Sequence, residues 1–337
     1  MSLTVVRASG SPRSLGWAQG EGSAEGIAGA LRFYDDLGPD VRGLGASAAP
    51  YIDAARAGLP DLVDELEGLA EGSGVSFEEI SFLNCMEEVW DFEACTTMVH
   101  GRFFMHAEQW YAGHDHVTIV IAAPGGGPGF VSPTCSGFLP AVGVNASGFA
   151  QGIDSLPAED DVVRIFAVGI PRVILSRHPL GADGFDAAVA ATDVAGRAGG
   201  YAHVFASASR SAVVETSATW RSLIKKVRAH TNHYLLSGAP NGRASKGSQS
   251  RLARAEQLLA EGPPASLEDC ARLLGDHESI PQSICLHENG AAASGTVFGL
   301  ACDLSNGRMI VSDGPPCEER WATFEVPGFV PELASVV

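Results

Sequence analysis

The sequence predicts an α+β protein in which antiparallel sheets are covered by helices. Three observations lead there. Residues 14–93 read as mostly helical, the texture turns strand-rich at Cys95, and two helical inserts interrupt the strands without the regular alternation of parallel βαβ units.

Taken in order, SLGWAQGEGSAEGIAGALRFYDDL predicts one helix. LPDLVDELEGLAEGSG predicts another, with Leu59, Leu62, Val63, Leu66 and Leu69 at helical spacing and glycines to stop it. Ser76 followed three residues later by Glu79 is a capping box opening SFEEISFLNCMEEVW. From Cys95, CTTMVHGRFFMHAEQWY reads as two strands around a turn at Gly101, and HVTIVIAAP as a strand by its Val, Thr and Ile content. PGGGPG is a loop, and FLPAVGVNASGFAQGID gives two strands turning at Ala146-Ser147-Gly148. Residues 169–195 look helical, YAHVFASASRSAVVETSATWRSLIKKV returns to strands, and SQSRLARAEQLLAEG and SLEDCARLLGDH are helices. TVFGLACDLSNGRMIVSDG closes the series as a hairpin with Asn306-Gly307 as its tight turn.

A chain of 337 residues, 45% hydrophobic, buries a sizeable core in one large domain or two modest ones. The formal charge is −18, and residues 1–94 hold 17 Asp/Glu against 5 Lys/Arg, a local net of −12. That balance argues against a nucleic-acid phosphate backbone or an anionic membrane as partner. The acidic third itself reads as a solvated helical face. No apolar run reaches the length of a spanning helix, and the opening MSLTVVRASGSPRS lacks the apolar core of a signal peptide. The seven cysteines are odd in number and widely spaced, with no C-x-x-C pair, so neither a disulfide framework nor a structural zinc site is expected, and a reducing cytoplasm is the simplest compartment. His106, His114 and His116 offer no convincing metal geometry either.

Cys95 stands where the acidic helical segment meets the first strand. A strand cysteine is ordinarily a small buried hydrophobe; its surroundings point elsewhere. The start GSPRSLGWAQGE, the segment LVDELEGLAEGSGVSFEEISFLNCMEE, the motif Cys95-Thr96-Thr97, GVNASGF at 143–149, Thr231-Asn232-His233, Ser250-Arg251, SICLH and GPPCE follow one another in order. In this order and spacing the chain resembles, over nearly its whole length, the acyl-coenzyme A:isopenicillin-N acyltransferase family of the N-terminal nucleophile hydrolases, and more distantly the choloylglycine hydrolases.

The resemblance implies a four-layer αββα sandwich of two antiparallel sheets between helices. It implies that the chain cuts itself between Ala94 and Cys95, dividing residues 1–94, a helical pro-segment, from the catalytic residues 95–337, the two fragments staying together. Cys95 then acts as an N-terminal nucleophile, its own α-amine serving as base, and carries the acyl group of a small amide as a thioester to water or to an amine. The partner is thus a small-molecule acyl donor or acceptor, and no cofactor or metal is implied. Asn232 is placed at the oxyanion and Arg251 beside the thiol, while Thr96, His106 and Trp110 fall at substrate-binding positions; Ser250 either touches substrate or caps its helix, and the cap is the role expected first.

Two positions depart from the family pattern. Gln109 stands where the family carries the Asp that receives the new α-ammonium and the Arg, and it brings an acceptor without a charge. Its neighbour Glu108 is expected on the opposite strand face, a poor substitute. Asp154 stands where an Asn helps to form the oxyanion hole; an ionised Asp cannot donate there, so it leaves that task to a backbone N–H or replaces the carboxylate missing at Gln109. These departures also fit an alternative, an unprocessed family member that serves as a binding or scaffold protein.

Overall fold

The computed structural model describes residues 3–36, 38, 41–89, 95–111, 113–161, 167–240, 244–288 and 294–332. The first strand, β1 (Thr4–Gly10), precedes a helical block: α1 (Pro12–Asp36), α2 (Val41–Gly58), α3 (Pro60–Ser73), α4 (Phe77–Asn84) and the short α5 (Met86–Val89). Gly74 ends α3 in the left-handed conformation, its N–H returning to Ala70 O. The capping box of α4 is complete: Glu79 N–H donates to Ser76 Oγ at 3.2 Å and Ser76 N–H to Glu79 Oε2 at 2.9 Å.

From Cys95 the strands follow: β2 (Thr96–His100), β3 (Phe103–Tyr111), β4 (Val117–Pro124), β5 (Phe130–Cys135), β6 (Gly143–Asn145) and β7 (Phe149–Leu156). Two helices, α6 (Arg172–Leu180) and α7 (Phe185–Ala191), separate these from β8 (Gly200–Ser207), β9 (Ser211–Thr216), β10 (Arg221–Lys225) and β11 (Ala229–His230). Then come α8 (Lys246–Glu261), α9 (Leu267–Leu274), β12 (Ser294–Asp303), β13 (Arg308–Ser312), the 3-10 turn Pro316–Glu318 and β14 (Trp321–Glu325).

These strands build two sheets. One runs β1-β4-β5-β6-β7-β8-β9-β10, the other β11-β2-β3-β12-β13-β14. Helices α1, α6 and α7 cover the outer face of the first, with α3 stacked on α1. Helices α8 and α9 cover the second, burying Met98, Met105, Ala107, Leu259 and Leu273 between them. The inner faces meet through Phe104, Phe298 and Val204, giving the αββα order of layers. Their approach is closest at Gly152 of β7, where a Cβ would stand 2.9 Å from Thr97 Oγ1 and 3.0 Å from His106 Nδ1.

Several expectations need correction. The first sheet is not wholly antiparallel: β1 pairs with β4 in parallel, from Thr4↔Thr118 to Gly10↔Pro124, because the helical block and the β2–β3 hairpin form a long crossover between them. The segment before Cys95 is therefore part of the sheet and of the core as well as a helical layer. Its acidic residues are not all solvated either. Glu65 is buried against Arg177 Nε at 3.1 Å, and Glu88 against Arg172 Nε at 3.1 Å. Ser250 does not cap α8; Ser245 does, accepting from Ser248 N, and Ser250 lies inside the helix. The β12–β13 turn spans 304–307 with positive φ at Gly307 alone, so it is longer than a two-residue Asn-Gly turn.

The glycines of α1 and α3 form a seam. A Cβ on Gly16 would lie 1.8 Å from Glu65 O, on Gly68 2.0 Å from Arg13 O, and on Gly72 2.0 Å from Trp17 O, so the two backbones touch where side chains would hold them apart.

Candidate active site

Alternation along β2 and β3 builds the site. Thr97 pairs with His106 across the hairpin, and both side chains face the opposite sheet. Two residues before Thr97, Cys95 takes the same face; two residues after His106, so does Glu108. Glu108 does lie on the face opposite Gln109, as expected, but the thiol shares that face. A bulge in β12 at Thr296–Phe298, opposite Gln109 and Glu108, adjusts the register there.

The resulting contacts form a chain. Cys95 Sγ donates to Glu108 Oε1 at 3.5 Å, and Glu108 Oε2 lies 3.0 Å from His106 Nε2. His106 Nδ1 meets Thr97 Oγ1 at 2.8 Å, and Thr97 Oγ1 reaches Asp154 Oδ1 of the facing sheet at 3.3 Å. Asp154 Oδ2 pairs with His230 Nδ1 at 3.5 Å, and His230 Nε2 with Glu215 Oε1 at 3.1 Å. Burial by itself lowers His230, but Asp154 and Glu215 outweigh it and push its pKa up to about 9, so it sits as an imidazolium between two carboxylates. The Cys95 thiol is pushed far the other way from reactivity. Burial raises its pKa well above the ordinary value, and Glu108 and Asp154 raise it further.

On the other side of Cys95, its backbone N–H donates to Asn232 Oδ1 at 3.1 Å. Arg251 Nη2 donates to the same oxygen at 2.6 Å, and its Nη1 to Gln109 Oε1 at 2.9 Å. Gln109 Nε2 donates to Ile284 O at 2.9 Å, and Asn232 Nδ2 to Ser155 O at 3.1 Å. Thus Cys95, Asn232, Arg251 and Gln109 meet in one buried frame. Asp154 joins Cys95 only through the relay of side chains, and its carboxylate is taken by Thr97 and His230, not by Arg251.

The remaining expected residues fall at varied distances from chemistry. Thr96 is fully buried. Trp110 lines the cavity beside the thiol and donates its indole N–H to Tyr34 Oη at 2.8 Å. Ser250 is half-buried on α8, one residue before Arg251. His114 spends both ring nitrogens, on Tyr34 and Ser136. Ala94, the residue before the expected cut, lies outside the described residues.

Cys95 is 5% exposed and opens on a cavity of about 50 Å³ that Glu87, Glu108, Trp110, Ser155 and Tyr201 also line. That volume holds a water or two and no amide substrate. Glu87 was not anticipated from the sequence. Burial raises its pKa to about 7 against the opposing pull of Arg172, and Tyr201 and Ser155 donate to its two oxygens. The signal was present as adjacent carboxylates in the otherwise apolar run FLNCMEEVW.

Cys95, His106 and Glu108 have their donor atoms close enough together to hold a metal. Their hydrogen bonds to one another and to Thr97 already account for that proximity. No helix among the described residues is long and apolar enough to cross a membrane.

The family model described as acyl-coenzyme A:6-aminopenicillanic acid acyl-transferase matches residues 90–316. No curated protein matches the chain. Among solved structures, penicillin V acylase from Agrobacterium tumefaciens is similar at 13% identity and a TM-score of 0.39, over 71% of this chain and 100% of that one. A mutant of conjugated bile acid hydrolase from Clostridium perfringens is similar at 8% identity and a TM-score of 0.38, over 72% of this chain and 99% of that one.

Proposed function

Because the chain belongs to the acyl-coenzyme A:6-aminopenicillanic acid acyl-transferase family, we propose that it is a self-processing cysteine enzyme that cleaves or transfers the acyl group of a small amide through an acyl-Cys95 thioester. The observation that carries this reading is the position of Cys95, with a carboxylate at its sulfur and the Asn232–Arg251 pair at its nitrogen.

In the maturation step, Glu108 Oε1 takes the thiol proton and the thiolate adds to the carbonyl carbon of residue 94. The Cys95 nitrogen gains a proton, the C–N bond breaks, and residue 94 becomes a thioester on Cys95. Water hydrolyses the thioester, releasing a carboxylate at Ala94 and a free amine on Cys95. In turnover, that α-amine takes the thiol proton, the sulfur adds to the substrate amide, and the leaving amine departs with the proton. Water or a second amine then takes the acyl group. Two features support the roles of the frame. Arg251 polarises the Asn232 amide through Oδ1, which strengthens the Nδ2 hydrogen left over from Ser155 as a donor to the oxyanion. Asn232 Oδ1 is also the acceptor that holds the new amine, the task for which Gln109 lacks both charge and contact. A free thiol nucleophile suits a reducing compartment such as the cytoplasm.

Intact-mass measurement of the purified protein tests the reading. Dividing 35.0 kDa by residue count at the cut gives fragments of about 10 and about 25 kDa, the larger beginning at Cys95. A single uncut species, with a Cys95→Ala variant indistinguishable from it in acyl-transfer and amide-hydrolysis assays, would instead identify a binding or scaffold protein, a reading that the strongly raised thiol pKa favours.

A further inference from the structure

We propose that His277, Cys285, His287 and Cys317 form a tetrahedral zinc site, separate from the Cys95 centre. Their four donor atoms all lie within 4.8 Å of one another. His277 Nε2 is 3.1 Å from His287 Nε2, Cys317 Sγ is 3.2 Å from the same nitrogen, and Cys285 Sγ is 3.8 Å from it. With zinc–nitrogen bonds of about 2.0–2.1 Å and zinc–sulfur bonds of about 2.3 Å, the edges of a tetrahedron are about 3.4 Å between nitrogens and about 3.6 Å between nitrogen and sulfur. The two nitrogen–sulfur separations bracket their value, and the nitrogen–nitrogen separation is about 0.3 Å short of its own.

Cys285 and Cys317 hydrogen-bond to each other, but hydrogen bonding does not account for the convergence on His287. A ring nitrogen carries one hydrogen or one lone pair, so His287 Nε2 satisfies one neighbour of the three that converge on it. A central cation satisfies all four atoms. Two thiolates and two neutral imidazoles around Zn²⁺ leave no net charge, and binding releases the two thiol protons.

The ligands come from three stretches of chain that the fold holds rigidly together. His277 follows α9, Cys285 and His287 lead into β12, and Cys317 lies in the 3-10 turn. Cys285 N–H donates to Asp276 O at 3.0 Å, and the Asp276 carboxylate is gripped by Arg254 at 3.0 and 2.7 Å. Leu286 and Thr296 exchange two bonds, of 2.8 and 2.9 Å. A Cβ on Gly275 would stand 3.4 Å from Cys317 Cα, so α9 and the turn are in direct contact. His287 is exposed and His277 and Cys317 half-buried, which leaves the centre open to a metal from solution. The spacing rule that argued against zinc looks for near-neighbour pairs; here Cys285-x-His287 is the only such pair, and folding supplies the other two ligands.

The same segment carries the Ser283 and Ile284 carbonyls that receive Gln109 Nε2, and Gln109 holds Arg251. Zinc at this centre therefore clamps the backbone on which the Arg251–Asn232 frame rests.

The test is elemental analysis of the full-length protein produced with zinc, together with the intense visible absorption that cobalt shows in a tetrahedral thiolate site. The expected result is one zinc per chain, kept by Cys95→Ser and lost by both Cys317→Ser and His287→Ala; the exposed position of His287 makes its variant the one least apt to disturb folding. Three results overturn the proposal: absence of bound metal, a Cys285–Cys317 disulfide in mapped peptides of protein purified without reductant, or metal that is lost with Cys95→Ser and retained by Cys317→Ser.

Discussion

Glu108 and Cys95 face each other across the β2–β3 hairpin, one carboxylate oxygen 3.5 Å from the sulfur. The other oxygen is held by His106 at 3.0 Å, so the carboxylate cannot swing away. A thiol whose pKa is driven up by burial needs such an acceptor before it can attack anything.

Replacing that acceptor tests its part in the proposed maturation. Glu108→Gln keeps the shape and the contact to His106 but cannot take a proton. Self-cleavage, followed by mass against time, should slow by about 10²–10⁴-fold, the usual worth of a positioned base. Cleavage at the wild-type rate would remove Glu108 from the mechanism.

Stability should fall as the solution is made alkaline. His230 holds its proton up to about pH 9 in the fold against an ordinary 6.5, since Asp154 and Glu215 overcome its burial. Its contribution is therefore complete below about pH 6.5 and is lost as the pH rises through 9, a change of at most about 3 kcal/mol. Glu87, raised by burial to about 7, acts with the same sign lower down: the fold favours its protonated form, so stability drops between about pH 4.5 and 7. Thermal midpoints measured across this range should decline throughout. Glu215→Gln should flatten the alkaline part and Glu87→Gln the acidic part; a midpoint rising from pH 6.5 to 9 would contradict the assignment for His230.

Gly152→Ala should harm both the fold and the site. The added methyl would meet Thr97 Oγ1 at 2.9 Å and His106 Nδ1 and Phe104 Cζ at 3.0 Å, atoms fixed by the facing sheet. Overpacking of this kind costs about 1–3 kcal/mol. Chemical denaturation should read that loss, and an unchanged midpoint would mean that the sheets part without penalty.

Much of this was legible in the sequence, and the exceptions share a cause. Strands after Cys95 announce themselves through Val, Thr and Ile alternating over short runs, and the Ser76–Glu79 cap is a local device. The β1 strand is not legible, because its partner β4 begins more than a hundred residues later and nothing near Thr4 requires a sheet. Glu108 was assigned to the correct face of β3; what the sequence did not disclose was that the thiol shares it. Glu87 looked like surface charge until Arg172, from a distant helix, reached it. Long-range pairing decides each case, and local pattern carries no trace of it.

The edge strand β1 also sets an order of events. Seven residues at the very start of the chain are stitched to β4, on the far side of the proposed cut, and the core around Leu66, Phe82 and Phe104 draws on both sides of it. Scission must then come after folding, since the Cys95 frame exists only in the assembled sheet sandwich. Under the proposed cut, the molecule would become a heterodimer with a single shared core. Its unfolding turns from a unimolecular into a dissociative process, and its denatured pieces must find each other again to refold. Maturation would trade a reversible fold for one that a dilute solution cannot readily rebuild.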